Sequence, residues 1–144
     1  MNSSSLNGLK VGLIHTESFQ VSPKHLVPNV EAEWPGFSDM PEVLATAIMV
    51  GFMEQTCIQG LRPYLTSDQR TVGTQVSMSH TAATPVGMVV SARVELTAIN
   101  GNALIFDVEC NDELGVIGKG LHHRAVVDLK RFNAKVAKKT TGYC

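Results

Sequence analysis

One stretch constrains the fold of this chain more than any other. From Val43 to Leu61 it reads VLATAIMVGFMEQTCIQGL, an apolar run of helical length in which Glu54 is the single charged residue. Glu42 suits the positive end of a helix dipole, Gly60 an end and Pro63 a stop, so the helix is expected over Pro41–Gly60. A helix apolar on every side must be covered by other elements. An ionised carboxylate inside it is costly unless it is paired or reactive. The run approaches the about 20 residues of a membrane span. Glu54, Gln55 and Gln59 are expensive in lipid, however, and no basic cluster flanks the run, so no membrane role is expected.

The rest of the chain supplies the cover. Val11–Val21 alternates loosely and reads as a strand. Residues 22–41 hold Pro23, Pro28, Pro35, Gly36 and Pro41, an irregular segment too long for an idle connector and read as a lid. After Leu65 come four runs rich in Val, Thr, Ile and Leu: Thr71–Ala83, Met88–Ile99, Ala103–Asn111 and Val116–Leu129. Asn100-Gly101 signals a two-residue hairpin, and Lys130–Lys139 reads as a short basic helix. The order of strand, lid, one long helix and four antiparallel strands gives a single α+β domain over residues 1–144, with residues 1–9 expected to be disordered. The architecture is a hotdog fold, a curved antiparallel sheet wrapped around one central helix. By analogy with that fold, a homodimer with sites at the seam is expected.

Composition narrows the function. Hydrophobic residues make up 44% and charged residues 17%, so apolar surface is expected to be covered by a second copy. The net charge of −1 and the lack of a basic block exclude a nucleic-acid footprint. Cys57, Cys110 and Cys144 are odd in number and form no C-x-x-C pair, which reads as reduced thiols in a cytoplasmic protein. The start lacks a charged segment followed by an apolar run, so no secretory leader is expected.

At 100° per residue, Ala47, Val50, Gly51, Glu54, Ile58 and Leu61 share one stripe of the helix, which places the acid on an apolar face. Gly51 sits where glycine costs roughly 0.5–1 kcal/mol against alanine, and so leaves room beside the acid. In the first strand after the helix, Val72, Thr74, Val76, Met78, His80 and Ala82 share a face. His80 thus looks at the helix. A lone histidine there is most often a satisfied core residue; an acid and an imidazole facing the same core make a stronger case. Thr46 lies two turns before Glu54, roughly 12 Å along the axis. It either lines the same cavity or bonds a carbonyl of its own helix. His122 and His123 point to opposite faces of a strand and have no clustered Cys or carboxylate beside them, so no metal is expected.

Three blocks carry a family resemblance: PEVLATAIMVGFME over 41–54, Gly73-Thr74 leading to SHTAATP over 79–85, and GKGLHHRAV over 118–126 followed by RFNAKV over 131–136. In type and spacing these residues resemble the fluoroacetyl-CoA thioesterase family of hotdog enzymes. The resemblance implies Thr46, Glu54 and His80 as the catalytic set, and Gly73 and Arg124 as substrate contacts. It implies an aromatic-gated lid, matched here by Phe37, with Met40 standing where a second phenylalanine is expected. The implied activity is hydrolysis of a small acyl-CoA thioester, with coenzyme A part of the substrate and no further cofactor. Two rivals are a non-catalytic acyl-CoA binding or sensing protein, which would not need Glu54, and an enoyl-CoA hydratase, whose Asp/His pattern is not found.

Overall fold

The computed structural model describes residues 7–142. Five strands form one antiparallel sheet: β1 (Ile14–Gln20), β2 (Gln69–Met78), β3 (Val89–Asn100), β4 (Ala103–Asp112) and β5 (Gly115–Asp128), in the order β1-β3-β4-β5-β2. Between β1 and β2 lie two short turns of helix, α1 (Val27–Val30) and α2 (Pro35–Ser38), and the long helix α3 (Thr46–Leu61); α4 (Leu129–Thr140) follows β5. Alternation on β3, β4 and β5 turns Val90, Ala92, Val94, Leu96, Leu104, Phe106, Val108 and Val126 onto the face that packs against α3. The β3–β4 hairpin forms one residue later than the Asn100-Gly101 reading: Asn100 pairs with Ala103, so Gly101 and Asn102 are the two turn residues, with Gly101 at φ +61° in the first central position.

Three expectations change. The helix begins at Thr46 rather than Pro41, because Leu44 and Ala45 are committed to neighbouring backbone: Leu44 N donates to Thr84 O at 2.8 Å and Ala45 N to His25 O at 2.9 Å. The stripe containing Glu54 is not the core stripe. Met49, Met53, Thr56, Cys57, Gly60 and Leu61 are buried on the sheet, while Ala47 and Gly51 are exposed and Val50, Glu54 and Ile58 half-buried. The sheet covers one side of α3 and leaves the other open in a single chain. Of residues 1–9, expected to be disordered, Leu9 is instead buried in the core. Residues 1–6 and Cys144 lie outside the described residues.

The lid segment is not wholly irregular. Beyond α1 and α2 it carries a 3-10 turn at Pro23–His25. It is stitched to the start of α3 through Val27 N to Val43 O (3.0 Å) and a Leu26–Leu44 bridge. Phe37 is half-buried edge-on against Trp34 (ring centroids 5.2 Å), and Met40 is exposed. Among the described residues no helix is long and apolar enough to cross a membrane, and no group of three or more His, Cys, Asp or Glu is placed to hold a metal ion.

Candidate active site

Two polar clusters sit along the open flank of α3. The first is at its N-terminus. Past the end of β2, Ser79 N donates to Lys119 O (2.9 Å) and Thr81 N to Ile117 O (2.7 Å), so His80 is held from both sides against β5. Gly118 and Gly120 make this approach possible, since any Cβ there would collide with the carbonyls of Ser79 and Ser77. The Leu44–Thr84 bond ties the same segment to the start of α3. His80 thereby meets Thr46, with Oγ1 and Nδ1 2.7 Å apart. Thr46 is the first helical residue and has no helical carbonyl behind it to bond. Thr56, deeper in the helix, does bond back, to Phe52 O at 2.8 Å.

Burial holds the His80 imidazole below its ordinary value, opposed by the Ala82 backbone. His80 is thus a neutral acceptor or donor at neutral pH, and its buried Nε2 has no partner. A hydroxyl within hydrogen-bond reach of an imidazole is the geometry of a nucleophile and its base. No side chain caps α3 at Ala45, and its first amide bond inside the turn is made by Ile48. Among the described residues the Thr46 and Ala47 amides make no backbone hydrogen bond, and they can receive a developing negative charge beside the Thr46 hydroxyl.

The second cluster lies two turns on. Glu54 Oε1 accepts from Arg124 Nη1 at 3.0 Å and lies 3.7 Å from His122 Nε2. Arg124 is 3% exposed, a buried charge and not a surface one. It also donates from Nε to Thr71 Oγ1 (2.9 Å), from Nη2 to Thr71 O (2.8 Å) and from Nη1 to His122 Nε2 (3.0 Å). These four bonds fix the guanidinium plane. His122 is fully buried, and its Nδ1 lies 2.8 Å from Gln75 O. A carbonyl only accepts, so Nδ1 carries the proton and Nε2 offers its lone pair to Arg124. Burial first, then Arg124 and His123, lower the His122 value against the pull of Gln75 O and Glu54. His122 is therefore neutral, and its approach to Glu54 is not an ion pair.

Gly73 makes the cluster possible. A Cβ there would lie 2.8 Å from Glu54 Oε1, 3.2 Å from His122 Cε1 and 3.4 Å from Arg124 Nη1. Gly73 reaches this face because β2 is bulged. Gly73 faces Arg124, Gln75 faces His123, and Thr74 is the extra residue. The strict alternation expected for this strand therefore holds only after Thr74, and Val72 lies on the opposite face.

The expected pairing of Glu54 with His80 does not occur in the chain. The acid binds Arg124, and His80 binds Thr46. The predicted residues Thr46, Glu54, His80, Gly73 and Arg124 are all on one flank of the helix. His122 was missed as a member, although its i−2 spacing from Arg124 on one strand was a readable sign. The thiols take no part: burial pushes Cys57 up to about 12 and Cys110 up to about 11, so neither supplies a thiolate.

Comparison with known proteins decides the family. A family model described as fluoroacetyl-CoA-specific thioesterase matches residues 21–130. The chain belongs to the fluoroacetyl-CoA-specific thioesterase family. Within it, the fluoroacetyl-CoA thioesterase of Streptantibioticus cattleyicolor is 42% identical over 134 residues, covering 93% of this chain and 96% of that protein. A solved structure of the fluoroacetyl-CoA thioesterase FlK superposes with a TM-score of 0.89 at 42% identity, over 92% of this chain and 98% of that one. A hot-dog-like protein from Thermanaerovibrio acidaminovorans shares the fold, with a TM-score of 0.80 at 22% identity over 96% and 97% of the two chains. The hotdog architecture read from the element order is thus the fold of the family and of more distant proteins alike.

Proposed function

We propose that this chain hydrolyses a small acyl-CoA thioester to the free acid and coenzyme A. One observation carries the reading: among the described residues Arg124 holds a single oxygen of Glu54 and leaves the other without a partner, on the same open flank of α3 that carries the Thr46–His80 pair. In the reaction Glu54 takes a proton from water as the water oxygen adds to the thioester carbonyl. The first-turn amides and the Thr46 hydroxyl receive the oxyanion. Collapse of the adduct breaks the C–S bond; neutral His80 gives its proton to the departing sulfur and regains one through solvent from the proton that Glu54 took from the water, so that Glu54 ends ionised. Glu54→Gln is expected to lower kcat at least about 100-fold, as for loss of a general base, while coenzyme A binding by calorimetry stays intact. Normal thiol release by that variant would make the acid structural.

The finer points of the reading rest on particular features. Fluoroacetyl-CoA is a fitting substrate on family grounds. Met40 in the lid is more flexible than an aromatic, which supports a less exacting acyl pocket. A thiol-release screen across acetyl, fluoroacetyl, branched and aromatic acyl-CoA thioesters tests this. A homodimer is supported by two unpartnered surfaces side by side: the ten-residue edge strand β2 with exposed Val76, and the apolar flank of α3. A cytoplasmic setting fits the free thiols of Cys57 and Cys110.

A further inference from the structure

Beyond Glu54, the open flank of α3 runs into a groove of about 470 Å3 lined by Ile58, Arg62, Leu65, Thr66, Ser67, Gln69, Arg70 and Thr71. Both ends of the groove are defined. Thr71 is the residue that clamps Arg124, and Ile58 lies one turn past Glu54, so the groove opens directly from the acid. At the far end stand two guanidinium groups. Arg62 is anchored through Nε to Gln59 Oε1 (3.0 Å), and Arg70 through Nη1 to the carbonyls of Ser67 (2.9 Å) and Gln69 (2.7 Å). Among the described residues neither forms an ion pair, whereas Arg124 and Arg93 both do. Two oriented cations therefore lack a carboxylate partner in a groove that also carries the Thr66 and Ser67 hydroxyls.

We propose that this groove is the subsite for the phosphate groups of the coenzyme A moiety, read by Arg62 and Arg70. The proposal rests on the acyl-CoA reading above and gives the substrate a direction. Arg62 follows Glu54 by eight residues, roughly 12 Å along the axis. A thioester at Glu54 thus needs an extended linker to bring an anion to the arginines, and the pantetheine arm is such a linker. The acyl end then points toward Thr46, where the lid is stitched to α3, and the nucleotide end toward the C-terminus of α3. Arginine suits the task because its planar fork matches phosphate oxygens.

The test compares acetyl-CoA with acetyl-pantetheine, which has the same thioester and arm but no phosphate. For the Arg62→Ala/Arg70→Ala double variant, KM for acetyl-CoA is expected to rise about tenfold or more with kcat nearly unchanged, the signature of lost uniform binding. Acetyl-pantetheine should be turned over equally by wild type and variant. Added salt should raise KM for acetyl-CoA in the wild type and much less in the variant. Both residues are exposed, so the variant is expected to fold; unchanged Glu54-dependent turnover of acetyl-pantetheine confirms this. Dephospho-CoA thioester locates the contact: a persisting effect assigns the diphosphate, and a lost effect the 3′-phosphate. Equal effects on both substrates, or none on either, overturn the proposal. If no thioester is cleaved yet calorimetry shows coenzyme A binding that needs both arginines, the groove stands and the hydrolase reading falls.

Discussion

At the scale of single residues, His122 separates a packing role from a positioning one. Its Nδ1–H supports the Gln75 carbonyl and its Nε2 supports Arg124, which holds Glu54. Glutamine in its place puts an amide oxygen near the Nε2 position; asparagine reaches only as far as Nδ1. If the bond to Arg124 matters for chemistry, His122→Gln keeps most of the activity. His122→Asn then loses about 10- to 100-fold in kcat, the scale of one hydrogen bond to a charged group. The reverse order in a thiol-release assay would show that the strand contact is what counts. Gly73→Ala is expected to cost a similar factor, because its methyl would press on the Glu54 carboxylate and the His122 ring together. Cys57 and Cys110 should resist alkylation in the folded protein and react once it is unfolded.

At the scale of elements, α3 and β2 behave as a pair. The helix carries Thr46 and Glu54 two turns apart, and the strand with its continuation carries Thr71, Gly73 and His80 alongside. The bulge at Thr74 lets Gly73 and Val76 face the same side on either side of it, with Gly73 opposite Arg124 and Val76 opposite His122. Deleting Thr74 would remove the bulge and restore regular alternation, leaving Gly73 opposite Arg124 and Val76 opposite His122 on the faces they already occupy. That deletion is expected to keep far-UV circular dichroism near wild type and to retain most of the turnover in a thiol-release assay, whereas inserting one residue beside Thr74 turns one half of the strand over and should abolish turnover. Val76 tests the edge itself. Val76→Lys places a charge on the outer strand and should shift a dimer to monomer in light scattering coupled to size exclusion. An unchanged mass would place the interface elsewhere.

At the scale of the whole molecule, three histidines partly or wholly withdrawn from water couple the fold to pH. His25, His80 and His122 all lie below the ordinary value of 6.5, each chiefly through burial. The unfolded chain binds protons at 6.5 that the folded chain refuses. Fewer protons on the folded state means that stability rises with pH through this range. It is complete above 6.5 and declines as pH falls from there toward the lowered folded values. Urea midpoints should be lower at about pH 5.5 than at about pH 7.5, and the gap should narrow in His122→Gln. Equal midpoints in the wild type would mean that these imidazoles are not protected from protonation.

Periodicity and composition determined the elements of this protein without help. The single apolar run had to be a helix against a sheet, the β-rich runs had to be antiparallel strands, and their faces pointed to Glu54 and His80, while the family resemblance supplied Thr46, Gly73 and Arg124. Those features are local, and local patterns are written in order along the chain. Which groups pair was decided only in three dimensions. One extra residue at Thr74 reverses a strand's faces, and a backbone bond from Leu44 to Thr84 brings Thr46 to His80. Glu54 meets an arginine 70 residues away instead of the expected imidazole. The choice between partners depends on register and on the geometry of close approach, and neither leaves a periodic trace in the sequence.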